Sequence, residues 1–512
     1  MSHERFLVVD FGAQYAQLIA RRVRELGCFA EIVMPDRLPA AIEGAKGVVF
    51  SGSPWSAYED GAPHVDPAVF EAGVPILGIC YGMQVTTHLL GGTVGAARER
   101  EYGPARIEIL GDDPLFAGLG EHMDVWMSHG DRVDAAPAGF TPIARTDHAP
   151  FAAIADATRK VYGVQFHPEV THTRGGQTLL ENFLYKVCGA AGDWKMTSFI
   201  EESCAKIRAQ VKPGEHVICG LSGGVDSTVA AILLHKAIGD QLTCIFVDNG
   251  LLRKGEAEEV LHAFRDRYKI PLVFAQAGDR FLDALEGVAD PETKRKIIGK
   301  VFIDVFTDEA KKVENVKYLA QGTLYPDVIE SHSAYGGASV TIKTHHNVGG
   351  LPEKLGFELI EPFRDCFKDE VRRIGRELGV PEVFVARQPF PGPGLAVRLL
   401  GPIDRERLAV LREADAVVRE EIEKAGAHEG LWQYFAVLLP VKSVGVMGDA
   451  RTYEDVVAVR AVESQDAMTA DWADLPREVL SAISYRLINQ VRGVNRVVYD
   501  ISTKPPSTIE WE

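Results

Sequence analysis

The sequence predicts an α/β protein: two consecutive parallel-sheet α/β domains followed by a small α+β C-terminal domain. Three observations carry this. Short β-rich runs alternate with helix-patterned segments from residue 6, the same rhythm restarts at His216, and strict alternation is lost beyond the cluster Pro389-Phe390-Pro391-Gly392-Pro393-Gly394. A chain of 512 residues also exceeds one ordinary core, and about 150 residues per domain gives roughly three.

In order, Phe6–Val9 reads as a buried strand. Tyr15, Leu18, Ile19, Val23 and Leu26 then form an apolar face at helical spacing, and Gly27 suits the stop. Strand-like runs recur at Phe29–Val33, Gly47–Phe50 and Pro75–Cys80, with a helix over Met83–Leu90. Gly95 to about Phe166 is richer in strands and turns and ends in the apolar run Val161–Phe166. A helix over Gln177–Val187 precedes Cys188-Gly189-Ala190-Ala191-Gly192, the first credible linker. The second rhythm comprises His216–Cys219, an all-round apolar helix at Val229–Leu234, Leu242–Val247, a charged helix from Gly255, Pro271–Phe274 and a helix over Asp369–Leu378. The Pro/Gly cluster is a rigid boundary. Beyond it come a charged helix at Asp404–Lys424, strands at Tyr434–Val441 and Val456–Val462, a helix near Arg477–Val491 and a strand at Arg496–Ile501. Expected domain bounds are 4–193, 194–387 and 388–512.

Composition narrows the function. The chain is 46% hydrophobic and 25% charged, with 55 Lys plus Arg against 72 Asp plus Glu, a net charge of −17. Such a surface disfavours generic nucleic-acid binding, though a local phosphate pocket remains compatible with it. The longest apolar run, Tyr434–Val441, is too short for a membrane span and contains Pro440. Met1–Arg5 leads directly into the first strand without a secretory h-region. The cysteines, at 28, 80, 188, 204, 219, 244 and 366, are scattered and include no C-x-x-C pair. A cytoplasmic protein is expected, with no nucleic-acid or membrane partner.

Two constellations carry chemistry. Gly78-Ile79-Cys80-Tyr81-Gly82 lies between a strand and a helix. Small residues on both sides permit a turn sharp enough to lift the thiol, the helix N-terminus favours thiolate, and the Tyr81 N–H can face an oxyanion. His167-Pro168-Glu169 follows a strand and puts imidazole and carboxylate on one side, the arrangement of an acid/base and its orienting partner. Ser51-Gly52-Ser53-Pro54 is a tight turn whose N–H groups can complete an oxyanion hole. The bland readings are a buried structural cysteine and an ordinary His-Pro turn. The second constellation is Gly220-Leu221-Ser222-Gly223-Gly224-Val225-Asp226-Ser227-Thr228. Its adjacent glycines, hydroxyls and helix N-terminus suit phosphate, and Asp226 suits a Mg²⁺ ion that carries the phosphates. It is neither a Walker motif nor a Rossmann fingerprint.

With Asp10-Phe11-Gly12, the first constellation resembles the class I glutamine amidotransferases over roughly residues 4–193. The resemblance implies Cys80 as nucleophile, His167 as acid/base and Glu169 as its orienter, with Gly52, Ser53 and Tyr81 around the oxyanion. The family's usual second glycine in the oxyanion turn is Ser53 here. The second constellation resembles the pyrophosphate-loop ATPases, which adenylate an acceptor oxygen. That implies ATP contacts from Ser222, Gly223, Gly224, Val225, Asp226 and Ser227, and a nucleoside near Val247-Asp248-Asn249. Asp327 is a second candidate metal ligand, and Lys343, within Ile342–Asn347 and flanked by glycine pairs, is a candidate for neutralising departing pyrophosphate.

An ammonia-releasing domain fused to an adenylating one describes an amide- or amidine-forming synthetase, where enclosure keeps ammonia from becoming ammonium. The tail Val494–Glu512, Pro389–Gly394 and Ser443-Val444-Gly445-Val446-Met447-Gly448-Asp449 resemble the glutamine-hydrolysing GMP synthetases, which extends the resemblance to essentially the whole chain. It implies glutamine, ATP and XMP as substrates, adenylation at the xanthine O2, and amination to GMP with release of AMP, pyrophosphate and glutamate. It further implies Mg²⁺ with ATP, XMP contacts from Arg295, Lys504 and Glu510, and a homodimer formed through the C-terminal domain. The alternatives are another acceptor, such as a deamido-nucleotide or a carboxylate, and a non-catalytic glutamine or nucleotide sensor.

Overall fold

A computed structural model describes residues 3–13, 15–332, 356–447, 450–464 and 469–512. The chain divides into two compact units, residues 1–199 and 200–512. Lys343 and the rest of Ile342–Asn347 lie outside the described residues, as do Gly448 and Asp449.

In the first unit the strands are β1 (Arg5–Val9), β2 (Phe29–Val33), β3 (Ala45–Phe50), β4 (Ile76–Ile79), β5 (Thr93–Ile109), β6 (His122–Ala135), β7 (Thr141–Arg145), β8 (Ala153–Asp156) and β9 (Val161–Val164). They form one sheet in the order β2-β1-β3-β4-β9-β8-β7-β5-β6. From β2 to β9 the neighbours run parallel; from β9 to β6 they run antiparallel. The turn-rich stretch after Gly95 is therefore an antiparallel extension of the parallel sheet. Every residue of β4 and β9 is buried, which accounts for their unbroken apolar runs. Helix Tyr15–Glu25 buries Ala16, Ile19, Ala20, Val23 and Arg24, and Gly27 follows at φ +81°. The segment read as a linker is tied down: Ala191 N–H donates to Glu4 Oε2 (2.7 Å) and Trp194 N–H to Gly27 O (3.0 Å).

The second unit contains β10 (His216–Leu221), β11 (Leu242–Asp248), β12 (Leu272–Gln276), β13 (Val316–Ala320) and β14 (Glu358–Ile360), in the order β12-β11-β10-β13-β14 and all parallel. Helix Val225–Ile238 is buried nearly all round, as its composition predicts. Then come β15 (Gln433–Met447), β16 (Ala450–Glu463), β17 (Asp471–Trp472) and β18 (Val494–Tyr499). Here β16 pairs antiparallel with β15 and β17, and parallel with β18. Tyr434, Ala436 and Leu438 enter one core cluster while Phe435 and Val437 enter another, so β15 is covered on both faces and reads as continuously apolar. Helix Arg405–Lys424 starts where expected because Asp404 accepts from Glu406 N (2.7 Å) and Arg407 N (3.3 Å). Sequence patterning places β18 two residues too far along, at Arg496–Ile501; beyond Tyr499, Asp500 N–H still donates to Val459 O (3.0 Å).

Candidate active sites

In the first unit, four loops leave the C-terminal ends of neighbouring parallel strands: Asp10-Phe11-Gly12 after β1, Ser51–Pro54 after β3, Cys80 after β4 and His167 after β9. Open parallel sheets place ligands at this edge. The Cys80 N–H donates to Val164 O (2.8 Å), which fixes the thiol-bearing residue at the end of the ladder. Cys80 sits at φ +54°, ψ −106°, a backbone conformation few non-glycine residues adopt. Both flanking glycines are sterically required. A Cβ on Gly78 would stand 2.5 Å from the Gly82 carbonyl carbon, and one on Gly82 would stand 2.5 Å from Phe50 O. The helix begins at Tyr81, two residues before the expected Met83, because the Cys80 carbonyl already accepts from Met83 and Gln84 N–H (3.1 Å each). The Tyr81 N–H therefore belongs to the first turn, where donors have no intrahelical partner.

His167 and Glu169 are both buried, with Nδ1 to Oε1 at 2.7 Å. The pair is pinned from several sides. His167 N–H donates to Trp126 O (3.1 Å), Thr173 Oγ1 to His167 O (2.6 Å), and Arg22 Nε to Glu169 O (3.0 Å). Gly176 allows this turn, since a Cβ there would overlap Pro168 O at 2.1 Å. Burial alone would lower the imidazole's pKa. The Glu169 charge and hydrogen bonds to Cys80 and Glu169 override it and raise the group well above its ordinary value of 6.5. Nδ1 faces Glu169, which leaves Nε2 for the thiol. Gly52 stands beside this ring, where an added Cβ would lie 3.4 Å from His167 Cε1. Ser53 anchors the turn by donating to Phe11 O (2.9 Å). Neither residue 52 nor 53 has positive φ, so serine fits where glycine is usual.

Gln165 is part of this site, and sequence reasoning missed it. Its amide points at the Cys80 Sγ (3.8 Å) and its carbonyl oxygen faces Gln84 Nε2 (3.4 Å). The signal was present: Gln165, His167 and Glu169 stand at i, i+2 and i+4, and Gln165 is a polar residue inside an apolar run.

In the second unit the strand order turns at β10, with β11 to one side and β13 to the other. The loop 222–224 leaves β10 at this switch point. Gly223 adopts φ +74° and Gly224 precedes helix Val225–Ile238 in extended conformation. Ser222 and Ser227 hydroxyls meet at 3.1 Å, and Ser222 Oγ also accepts from Gly224 N–H (3.3 Å), so donors cluster on one side of the loop. Asp226 Oδ2 faces Lys368 Nζ (3.4 Å), while its buried Oδ1 has no partner among the described residues. Gly322, after β13, packs against Asp226, with room for a Cβ only at 3.3 Å. Asp327 Oδ2 accepts from Leu324 N–H (3.0 Å). Among the described residues no three His, Cys, Asp or Glu side chains form a metal cage. An orphaned carboxylate oxygen on a phosphate loop nonetheless fits Mg²⁺, which takes one or two carboxylates plus substrate phosphates. Val247 is buried in the core near the C-terminal end of β11. Asp248 and Asn249 accept from Gly250 and Leu251 N–H (2.9 Å each).

The candidate acceptor residues lie around the tail. Arg295 Nη2 donates to Glu512 O (2.7 Å), and neighbouring Lys294, fully buried, bonds the Glu512 carboxylate, Ala396 O (3.1 Å) and Leu399 O (2.8 Å). Glu510 is clamped by Arg398 through two bonds (3.1 and 2.8 Å), with Gln433 Nε2 at 3.2 Å. Lys504 is held through its backbone, which exchanges hydrogen bonds with Ala470 (2.7 and 3.1 Å). Arg295 and the tail thus meet directly, while Glu510 pairs with Arg398. Lys368 and Arg398 were missed as single basic residues, for which spacing offers no signal, and Lys294 was passed over although it adjoins Arg295 in the basic run Lys294-Arg295-Lys296.

Comparison with known proteins addresses the whole chain. The family models described as "Glutamine amidotransferase class-I", "NAD synthase" and "GMP synthase C terminal domain" match residues 7–187, 196–260 and 420–511. A GMP synthase [glutamine-hydrolyzing] of Rhodopseudomonas palustris is 59% identical over 100% of this chain and 95% of its own. The chain belongs to the glutamine-hydrolysing GMP synthase family. Proteins of the same name from Zymomonas mobilis (58% identical, 99% of this chain and 98% of theirs) and Geobacillus kaustophilus (57%, 100% of both) agree. The resemblance drawn from the motifs is therefore correct, and the chain is an ATP-utilising synthetase of the α/β class. Among the described residues, no helix is long and apolar enough to cross a membrane.

Proposed function

We propose that this chain makes GMP from XMP, ATP and glutamine, with AMP, pyrophosphate and glutamate as the other products. One observation carries the proposal, the 59% identity to a glutamine-hydrolysing GMP synthase along the whole chain, and the buried Cys-His-Glu constellation and the phosphate loop support it. The Cys80 thiolate attacks the glutamine side-chain amide, and N–H groups of Tyr81 and of the Gly52-Ser53 turn face the developing oxyanion. His167, oriented by Glu169, passes a proton to the departing ammonia and then takes one from the water that hydrolyses the thioester.

In the second unit, ATP phosphates rest on Ser222, Gly223, Gly224, Val225 and Ser227, with the nucleoside at the Val247 backbone. Asp226, with Asp327 as a second carboxylate, would hold Mg²⁺, which when bound neutralises phosphate charge. Lys343 is assigned to the pyrophosphate. The XMP O2 attacks the α-phosphorus, pyrophosphate leaves, and ammonia displaces AMP from C2. Arg295, Lys504 and Glu510 are assigned to the XMP phosphate and ribose. Exposed Val444, Val446, Tyr453, Tyr485 and Ile501 on the C-terminal region support a homodimer through that region. A cytoplasmic location fits these soluble substrates. The test is mass-spectrometric product analysis with XMP, ATP, Mg²⁺ and amide-¹⁵N glutamine. Labelled GMP with AMP supports the reading, and AMP release only with another acceptor overturns it.

A further inference from the structure

We propose that Arg387 is a positioning residue for the phosphate loop, acting through a single peptide plane. The inference rests on the reading of 222–227 as the site of the ATP phosphates. Arg387 Nη1 donates to Gly223 O (2.8 Å). In a planar trans peptide, the carbonyl and the following N–H point in opposite directions. Holding the Gly223 carbonyl toward Arg387 therefore turns the Gly224 N–H the other way. That N–H does lie on the hydroxyl side, 3.3 Å from Ser222 Oγ, where Ser222 and Ser227 meet. Arg387 thus sits behind the loop and aims a donor at its front.

The need for such a tether follows from the sequence. Gly223 and Gly224 let a backbone approach phosphate closely, but glycines impose little conformational preference of their own. At φ +74° the Gly223 peptide can rotate unless something outside the loop holds it. Arg387 is itself held: Nη2 lies 3.1 Å from Glu256 Oε1 and 3.4 Å from Glu259 Oε2. The Glu256 side chain is 3% exposed, and its other oxygen accepts from Arg253 N–H (3.0 Å). Val260, on the same helix Glu256–Leu261, closes the space, since a Cβ on Gly223 would meet its Cγ2 at 3.2 Å. Arg387 bonds the loop's carbonyl, so its effect on ATP runs through the Gly224 amide.

The full-length chain and its Arg387→Gln, Arg387→Lys and Glu256→Gln variants would be assayed for ammonia-dependent synthesis, with inorganic pyrophosphate as inhibitor. Arg387→Gln should raise both the ATP KM and the pyrophosphate inhibition constant by about tenfold, the scale of one hydrogen bond to a charged group. The XMP KM should stay within about threefold. Arg387→Lys should recover part of the loss, and Glu256→Gln should shift the same two constants in the same direction by less. A pyrophosphate constant within about twofold of wild type in folded Arg387→Gln would overturn the proposal. So would a parallel rise of ATP and XMP KM with a lowered melting midpoint in all three variants, because that pattern marks general loosening. Should Arg387→Gln not fold, an unchanged pyrophosphate constant in both other variants would overturn it equally. A wild-type chain releasing no AMP would instead remove the functional reading beneath it.

Discussion

Gly82→Ala tests whether the thiol's position depends on the contact between β3 and the helix Tyr81–Leu89. The added methyl would stand 2.5 Å from Phe50 O and 2.6 Å from Phe50 Cβ, both of which are fixed in the middle of the sheet. Ordinary contact begins near 3.4 Å, so helix and strand must separate by about 0.9 Å. Overpacking of this kind costs roughly 1–3 kcal/mol of stability. The functional cost should be larger, because Cys80 immediately precedes this helix and its thiol must reach both substrate and His167. A displacement near 1 Å can cost about two decades in rate. Glutamine-dependent GMP formation should therefore fall about 100-fold, while formation from ammonium salts changes little because adenylation resides in the other unit. Stopped glutamine and ammonium assays on the same preparation separate the two. Glutamine-dependent turnover within about threefold of wild type would show that the elbow tolerates the methyl and that the steric argument is wrong.

Four further outcomes are expected. Cys80→Ala should abolish synthesis from glutamine yet retain synthesis from ammonium salts at raised pH; equal loss of both in a folded variant would contradict the division of labour. Asp226→Asn should remove synthesis from either nitrogen source and spare some glutaminase, and ammonia-dependent turnover within a few fold of wild type would exclude Asp226 as the principal metal ligand. Lys504→Met should raise the XMP KM by about one to two decades, from roughly 1.5–3 kcal/mol of lost charge-assisted binding, and an unchanged value would take Lys504 out of the acceptor site. Burial opposes the His167 charge, but Glu169 and Cys80 raise its folded pKa above 6.5, so its stabilisation is complete below that value and is lost as pH rises through the folded pKa. Wild type should accordingly lose more stability than His167→Gln between about pH 7 and 10, with parallel urea midpoints refuting the assignment.

What was legible in the sequence is what local physics fixes. The Cys80 elbow needs two small neighbours, and the phosphate loop needs two glycines, because each brings backbone against backbone or anion. Such requirements write themselves into consecutive letters. The residues that were missed are fixed by the sheets' topology instead. Lys368 reaches Asp226 across 142 positions, and Arg398 reaches Glu510 across 112. No spacing rule links such pairs until the strands are ordered. Gln165 is intermediate: its alternation with His167 was visible, but its pointing at the thiol depends on β9 lying beside β4. Element bounds drifted for a similar reason. β15 extends from Gln433 to Met447 since β16 offers a partner that far, although the apolar run ends at Val441.

The boundary at the Pro/Gly cluster shows how element pattern and core can differ. Alternation stops there, yet one hydrophobic cluster includes Ile218, Val247, Phe281 and Leu319 from before it and Leu395, Leu411, Val457 and Ile483 from after it. Lys294 makes the connection electrostatic as well. Its ammonium is wholly buried, and its partners are Ala396 O, Leu399 O and the Glu512 carboxylate, all from beyond the cluster. Burial lowers the pKa of this group, while Glu512 works in the opposite direction. Removing the partners of a buried charge typically costs about 3–5 kcal/mol, so the stability of the helix Pro291–Ala310 depends on the tail that pairs Lys294. The same helix carries Arg295, which bonds Glu512 O. If the acceptor binds where proposed, between this helix and the tail, its site needs both sides of the cluster folded together, because Lys294 and Arg295 each bond Glu512.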